Sequence, residues 1–495
     1  MKKTLVFFLF LSFNFFIAAQ TPDSTPLKNI VDENKTTDAE IPLADQPKKE
    51  KSEYDKKLET LKYGLTSDVI ALVGDLQTEN DTRFNAELAH LFAVDKNVKL
   101  KTAILGFFIA QKDEALKNEV AEMLENFYDY KTELLKAGMQ YAAQLKLQDA
   151  SIIEALHTII DENKTDVKEV AILTLGQIGS SEDAVYLTEV FENQNADDVN
   201  MNLIFRQTIM QALIDLHAAD TFEFLKDVAE DEYENAIIRA RAVTALGKIG
   251  NADAIEILVQ AYSDEDPNIR EAAVAGLAGF SGNAAATDIL LQAFKDEYYK
   301  VRLKAIQVAR ETKNAAAFPF ILYRAKTDPE YKVKNAAIEA LAESGDAEGM
   351  AWLKEVFAEE KSGTNLRVKV ASTLLKNNEA VIIADVEQAV ITAMADKKKK
   401  KFAYELGKNI SKIQSPQLVR ICEVFLNDQD SMYKSIGLDM FETNRFTELT
   451  PLIELIAEDK KNGTLKKRAE QLLEKTNASD KNSPTDDKTT PAPKN

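Results

Sequence analysis

From about residue 95 to about residue 475 apolar positions recur at helical spacing, and the pattern itself repeats. Its unit is an apolar residue followed by a basic one, then a small or apolar residue four positions on and another eight on. Val167-Lys168 leads to Ala171 and Leu175, Phe205-Arg206 to Ile209 and Leu213, Ile238-Arg239 to Ala242 and Leu246, and Ile269-Arg270 to Ala273 and Leu277. Val301-Arg302 leads to Ala305 and Ala309, Val333-Lys334 to Ala337 and Leu341, and Leu366-Arg367 to Val370 and Leu374. The starts lie 38, 33, 31, 32, 32 and 33 residues apart. Such a register predicts a repeat array.

Each phrase opens a first helix, and a second apolar-periodic segment follows it, such as ADAIEILVQAY (252–262) or AAATDILLQAF (284–294). The expected unit is helix, short turn, helix. Alanine at the fourth position, as at 171, 242, 273, 305, 337 and 469, removes bulk where helices of neighbouring units must approach. Stacked pairs of this kind share one continuous core that no unit could form alone. Weaker copies occur at Val98-Lys99, Tyr130-Lys131, Met432 and Leu465-Lys466, and around 397–413 the register slips, with Phe402, Leu406 and Ile410 fitting better. With a preliminary hairpin at about 53–94, the expectation is an all-α protein: an α-α superhelix of roughly eleven helix pairs plus a final helix, spanning 53–476.

Composition supports this reading. The chain has 17 Gly and 12 Pro in 495 residues, about half the usual frequency of each, and no stretch alternates with period two. At the N-terminus, Lys2 and Lys3 precede an apolar run from Leu5 to Ile17 and the small residues Ala18 and Ala19, the order of a secretory signal peptide at 1–19. The run's 13 residues fall short of the roughly 20 that span a bilayer, so an exported protein, periplasmic or secreted and without stable membrane insertion, is expected. Segments 20–52 and 477–495 mix Pro, Thr, Asp and Lys without apolar period and read as a disordered linker and tail. The net charge is −20, and loss of Lys2 and Lys3 takes it to −22, a surface that repels nucleic acid. The single cysteine, Cys422, cannot form an intramolecular disulfide and reads as a buried apolar filler.

The segments LTLGQIGSSEDAVYL (173–187) and VTALGKIGNADAIEIL (243–258) resemble the HEAT-repeat family, in the short variety of bilin-lyase-type HEAT-like proteins. The resemblance covers roughly residues 95–475 and implies an armadillo-type solenoid. Tetratricopeptide arrays have a similar period, but their Trp, Gly, Tyr and Pro signature is missing. The basic column comprises Arg206, Arg239, Arg270, Arg302 and Arg367, with Lys99, Lys131, Lys168 and Lys334 at matching places. HEAT proteins of this kind pair such residues with acids between units, which implies a structural ladder here. Asp231, Asp266, Asp296 and Asp328 stand in the inter-unit turns as its acids.

No grouping carries catalytic chemistry, and no cofactor or metal is expected. Gly247-Lys248-Ile249-Gly250 lacks the strand before it and the Ser or Thr after its lysine that a phosphate-binding loop needs. Gly179 and Gly250 are expected to end helices, and Gly176 and Gly247 to permit close packing. HEAT-like deoxyhypusine hydroxylases bind iron through His-Glu pairs, whereas His90, His157 and His217 are followed by Leu91, Thr158 and Ala218. The acidic stretch 193–200 has Asp198 where a calcium loop requires Gly.

The candidates that remain are binding residues. Lys397, Lys398, Lys399, Lys400 and Lys401 form a dense positive run in an acidic chain, suited either to a solvated helix start or to an acidic partner. Tyr186, Tyr262 and Tyr323 lie on second helices and are candidates for the concave face. The resulting expectation is a non-enzymatic scaffold of the cell envelope that binds a protein or peptide partner along that face. An anionic envelope polymer at the lysine run is the alternative, with a cryptic HEAT-like enzyme behind it.

Overall fold

Two neighbouring units show how the sequence builds the array. In the computed structural model, the Asn235 side chain accepts a hydrogen bond from the Ile237 N–H at 2.9 Å and starts the helix Ala236–Ile249. Gly250, at φ +71°, closes that helix in the left-handed conformation that only glycine adopts without strain. The second helix, Ala254–Tyr262, runs back, and Asp266 caps the next first helix, Pro267–Gly276, by accepting from the Asn268 N–H at 2.7 Å. Pro267 sits in the first turn, where the missing N–H costs nothing.

The structure describes residues 51–163, 165–193, 199–459 and 463–481. Among them are 26 α-helices and no strand. Eleven helix pairs run from Val98 to Glu458 and a final helix, Gly463–Lys481, follows. Thr66–Glu79 and Asn85–Val94 form the preliminary pair. The final helix continues beyond 476, where the sequence pattern ends. The expected signal peptide at 1–19, the linker up to residue 50 and the tail from 482 lie outside the described residues. The described residues from Lys57 onward group as one compact unit.

First helices form a continuous layer. Thr165–Ile178 packs on Val199–Leu216, which packs on Ala236–Ile249, and the series continues through Pro267–Gly276, Tyr299–Glu311, Tyr331–Ser344 and Thr364–Asn377. The phrase positions form its core: Ile238, Ala242, Leu246, Val301, Ala305, Val333, Ala337 and Leu341 are all buried. The 38-residue spacing before Phe205 arises because Val199–Leu216 has 18 residues, while the other phrase helices have 10 to 14. The slip near 400 has the opposite cause: the first helix there, Lys400–Ile410, has only 11 residues and follows the long second helix Glu379–Ala395 of 17.

Two of the weaker copies are in a different register from the expected one. Lys99 and Lys131 are exposed, because Leu100 and Leu134 rather than Val98 and Tyr130 take the core position. The basic place in the former helix belongs to Lys101, whose Nζ lies 5.0 Å from the Phe92 ring centroid. Gly179 ends its helix as expected, but by a different device from Gly250. It ends Thr165–Ile178 without a positive φ, its N–H still bonds the Leu175 carbonyl at 2.7 Å, and the extended Ser180 opens a capping box with Asp183.

Candidate functional site

Arginines of the basic column stitch consecutive units together. Arg302 donates from Nε and Nη2 to the Asp328 carboxylate at 2.7 and 2.8 Å, and from Nη1 to the Asp296 and Glu297 carbonyls at 2.8 and 2.9 Å. Arg270 repeats this fork one unit earlier, with Asp296 at 2.9 and 3.0 Å and the Asp264 and Glu265 carbonyls at 3.0 and 2.9 Å. In each case one turn's carbonyls and the next turn's carboxylate saturate the same guanidinium. Arg239 uses Nε for the Ala229 carbonyl at 3.1 Å and Nη2 for Asp264 at 2.8 Å. Arg206 pairs with Glu234.

Two expected acids are thereby replaced. Asp266 is occupied as a helix cap, and Asp264 and Glu234 serve as rungs in place of Asp266 and Asp231. Lys168 has no carboxylate rung; it is buried, donates to Asn163 Oδ1 at 3.0 Å and faces the Phe205 ring at 5.1 Å.

Arg367 departs further. Its Nε donates to the Phe357 carbonyl at 2.7 Å, as Arg239 does to the carbonyl ten residues before it, but no carboxylate among the described residues lies within 4.0 Å. Its expected place in the ladder is therefore an incomplete rung. The acid at hand, Glu360, pairs with Lys399 instead. The Arg367 guanidinium lies over the Phe402 ring, 4.1 Å from its centroid. Burial pushes its pKa below the ordinary arginine value, with Glu360 acting weakly in the other direction.

This guanidinium lines an open groove of about 790 Å³. The groove opens between the second helices Ala347–Ala358 and Glu379–Ala395, with Phe357, Ala389 and Phe402 on its apolar side and Lys398, Lys399 and Lys401 at its edge. The lysine run is thus divided among four roles. Lys400 bonds Asp428 at 2.6 Å as a ladder rung, and that hydrogen bond raises its pKa. Lys399 is committed to Glu360, Lys397 is exposed outside the groove, and Lys398 and Lys401 line the groove and form no ion pair among the described residues.

The three tyrosines lie elsewhere. Tyr186 is half-buried, its ring stacks on His157 at 4.0 Å between centroids, and its hydroxyl donates to Asp161 Oδ1 at 2.7 Å. Burial and that carboxylate raise its pKa. His157 Nε2 stands 2.8 Å from Asp183 Oδ1, whose other oxygen accepts from Ser180. This polar knot joins two units and leaves the Tyr186 hydroxyl engaged. Tyr262 is half-buried, while Tyr323 is 56% exposed beneath the Arg324 guanidinium. Among the described residues no group of three or more His, Cys, Asp or Glu is placed to hold a metal ion. Nothing in the sequence signals the incomplete rung at Arg367, because its column position matches the others and Asp396 stands in the following turn as the rung acids do, accepting the Lys398 N–H at 2.9 Å.

A fold of stacked helix pairs with an inter-unit Arg–Asp ladder defines a HEAT-repeat solenoid. The family model described as spirochaete HEAT repeat protein matches residues 61–472, and the chain belongs to that family. A deoxyhypusine hydroxylase from Drosophila pseudoobscura pseudoobscura is 26% identical over 141 residues, 28% of this chain and 41% of the relative, so less than half of that protein is spanned. Among solved structures, Kap95p with RanGDP is similar with a TM-score of 0.42 and 12% identity, covering 86% of this chain and 66% of that one. The CpcE–CpcF phycocyanin lyase complex of Nostoc is similar with a TM-score of 0.28 and 19% identity, covering 50% of this chain and 93% of that one.

Proposed function

We propose that this HEAT-repeat protein is a non-enzymatic scaffold of the cell envelope that holds a protein or peptide partner along the layer of second helices. The observation that carries the reading is the groove between Ala347–Ala358 and Glu379–Ala395, two helices of the second-helix layer. Repeat arrays present extended surfaces to which each unit adds a few contacts, so recognition is distributed over several of them. The dispersed placement of Tyr262, Tyr323 and the groove suits that mode better than a single pocket.

Export is the part of the reading that rests on Lys2, Lys3 and the apolar run alone. No helix among the described residues is long and apolar enough to cross a membrane. The non-enzymatic assignment is supported by the histidines: none is followed by Glu, and His157 is engaged with Asp183 and Tyr186. Cell fractionation and crosslinking of the native protein, followed by identification of what is joined to it, test the proposal. A discrete protein partner in the envelope fraction supports it. Recovery of background alone, together with turnover of a small molecule by the purified chain, overturns it.

A further inference from the structure

We propose that the partner's recognition segment is an acidic peptide, one of whose Asp or Glu carboxylates completes the ladder at Arg367. This rests on the scaffold reading above and names the chemistry of the segment that the groove takes.

The ladder itself describes the missing group. At Arg239 the Nε is held by a carbonyl ten residues earlier and a carboxylate from the next turn sits on Nη2 at 2.8 Å. At Arg367 the same carbonyl contact is made by Phe357, and no carboxylate among the described residues pairs with the guanidinium. A guanidinium cannot shed its charge, so a half-buried one keeps an unmet demand for an acceptor. Glu360 does not meet it because Lys399 holds that carboxylate.

Surroundings of the guanidinium select the ligand. Lys398 and Lys401 add two positive charges at the groove edge of a chain whose net charge is −20, which makes this a local inversion of sign. Ala389 and Phe402, both half-buried, offer apolar surface beside the charge. Glu355 and Asp385 also line the groove, and they disfavour a long uniform polyanion more than a peptide whose acids can be spaced around them. An acidic segment with interleaved apolar residues meets all three conditions.

The test measures fluorescence anisotropy of a fluorescein-labelled twelve-residue peptide of alternating acidic and apolar residues (Asp, Glu, Leu, Phe) on the full chain. Its Asn/Gln counterpart and inorganic polyphosphate serve as competitors. Binding of the acidic peptide, weakened about tenfold or more by Arg367→Gln and not displaced by the neutral counterpart, is the expected result, as for loss of one charge-assisted pair. The exposed pair Lys398→Gln and Lys401→Gln is expected to weaken it too and to make its salt dependence shallower. No binding, equal binding of the neutral peptide, insensitivity to Arg367→Gln in a folded variant, or tighter binding of polyphosphate overturns the proposal. The scaffold reading is judged separately: a crosslinked native partner that is retained equally by Arg367→Gln removes the acidic-peptide assignment and leaves the scaffold standing.

Discussion

Gly247 and Gly276, on first helices of successive units, meet backbone to backbone: a methyl group built on Gly247 would stand 2.3 Å from the Gly276 Cα. Neither helix can retreat without lifting Leu246 and Val274 out of the core they share. Gly247→Ala is therefore expected to cost about 1–3 kcal/mol through overpacking, read as a lower urea midpoint. Gly250→Ala is the comparison. Its methyl meets open space, so its cost of about 1 kcal/mol comes from φ +71° alone. Equal midpoints for wild type and Gly247→Ala would show that the close approach is not needed.

The Arg302–Asp328 rung is the most buried, with Asp328 fully inaccessible. Burial acts to raise the Asp328 carboxyl pKa, but hydrogen bonds from Arg302 and the Glu330 N–H, with the arginine charge, hold it below its ordinary 3.8. Asp328→Ala leaves a buried guanidinium without its partner and is expected to cost about 3–5 kcal/mol. A depressed carboxyl stabilises the fold fully above its unfolded pKa and loses that contribution as pH falls through the folded value. The melting-temperature gap between wild type and Asp328→Asn should thus be constant from about pH 7 to about pH 5 and narrow below about pH 4. A gap that grows as the solution is acidified contradicts the depressed carboxyl.

These two sites also show what could be read without coordinates. The phrase Ile238, Ala242, Leu246 and its relatives reached the core because burial follows helical period, which one sequence displays in full. Asp296 and Asp328 were legible as rungs because each arginine meets the acid that follows it by 26 residues. Asp264 and Glu234 were not, since a turn with several acids assigns one to a helix cap and another to the arginine by local backbone geometry. The groove was legible only as its lysines. That Lys399 and Lys400 are neutralised by Glu360 and Asp428, partners 39 and 28 residues away, depends on how units stack where the repeat length changes.

Cys422 gives a test of the core that needs no substitution. Its thiol is inaccessible, donates to the Gly437 carbonyl at 3.3 Å and is pushed by burial up to about 12. The thiolate that attacks disulfide reagents is then negligible at pH 8, and the reagent has no path to it. Native protein is expected to release no thionitrobenzoate from Ellman's reagent over an hour, and one equivalent per chain once urea unfolds it. Stoichiometric reaction of the native chain would mean that the pair Val419–Leu426 and Ser431–Asn444 opens readily.

Lys168 occupies the column position of an arginine without an arginine's partners. It is 5% exposed, bonds, among the described residues, the neutral Asn163 and an aromatic face, and burial lowers its pKa despite the more distant Asp161. A lysine whose folded pKa is depressed destabilises the fold while it remains charged. The penalty is present below the folded value and is relieved as pH rises from there toward the ordinary 10.5. Lys168→Met keeps the aliphatic stem over Phe205 and removes the buried charge, so it should be neutral or stabilise by about 1 kcal/mol at pH 7. Lys168→Arg should be worse than wild type, because a longer, permanently charged fork finds no carboxylate there. A methionine variant that melts well below wild type would show that the Asn163 bond and the Phe205 contact outweigh the cost of burying the ammonium.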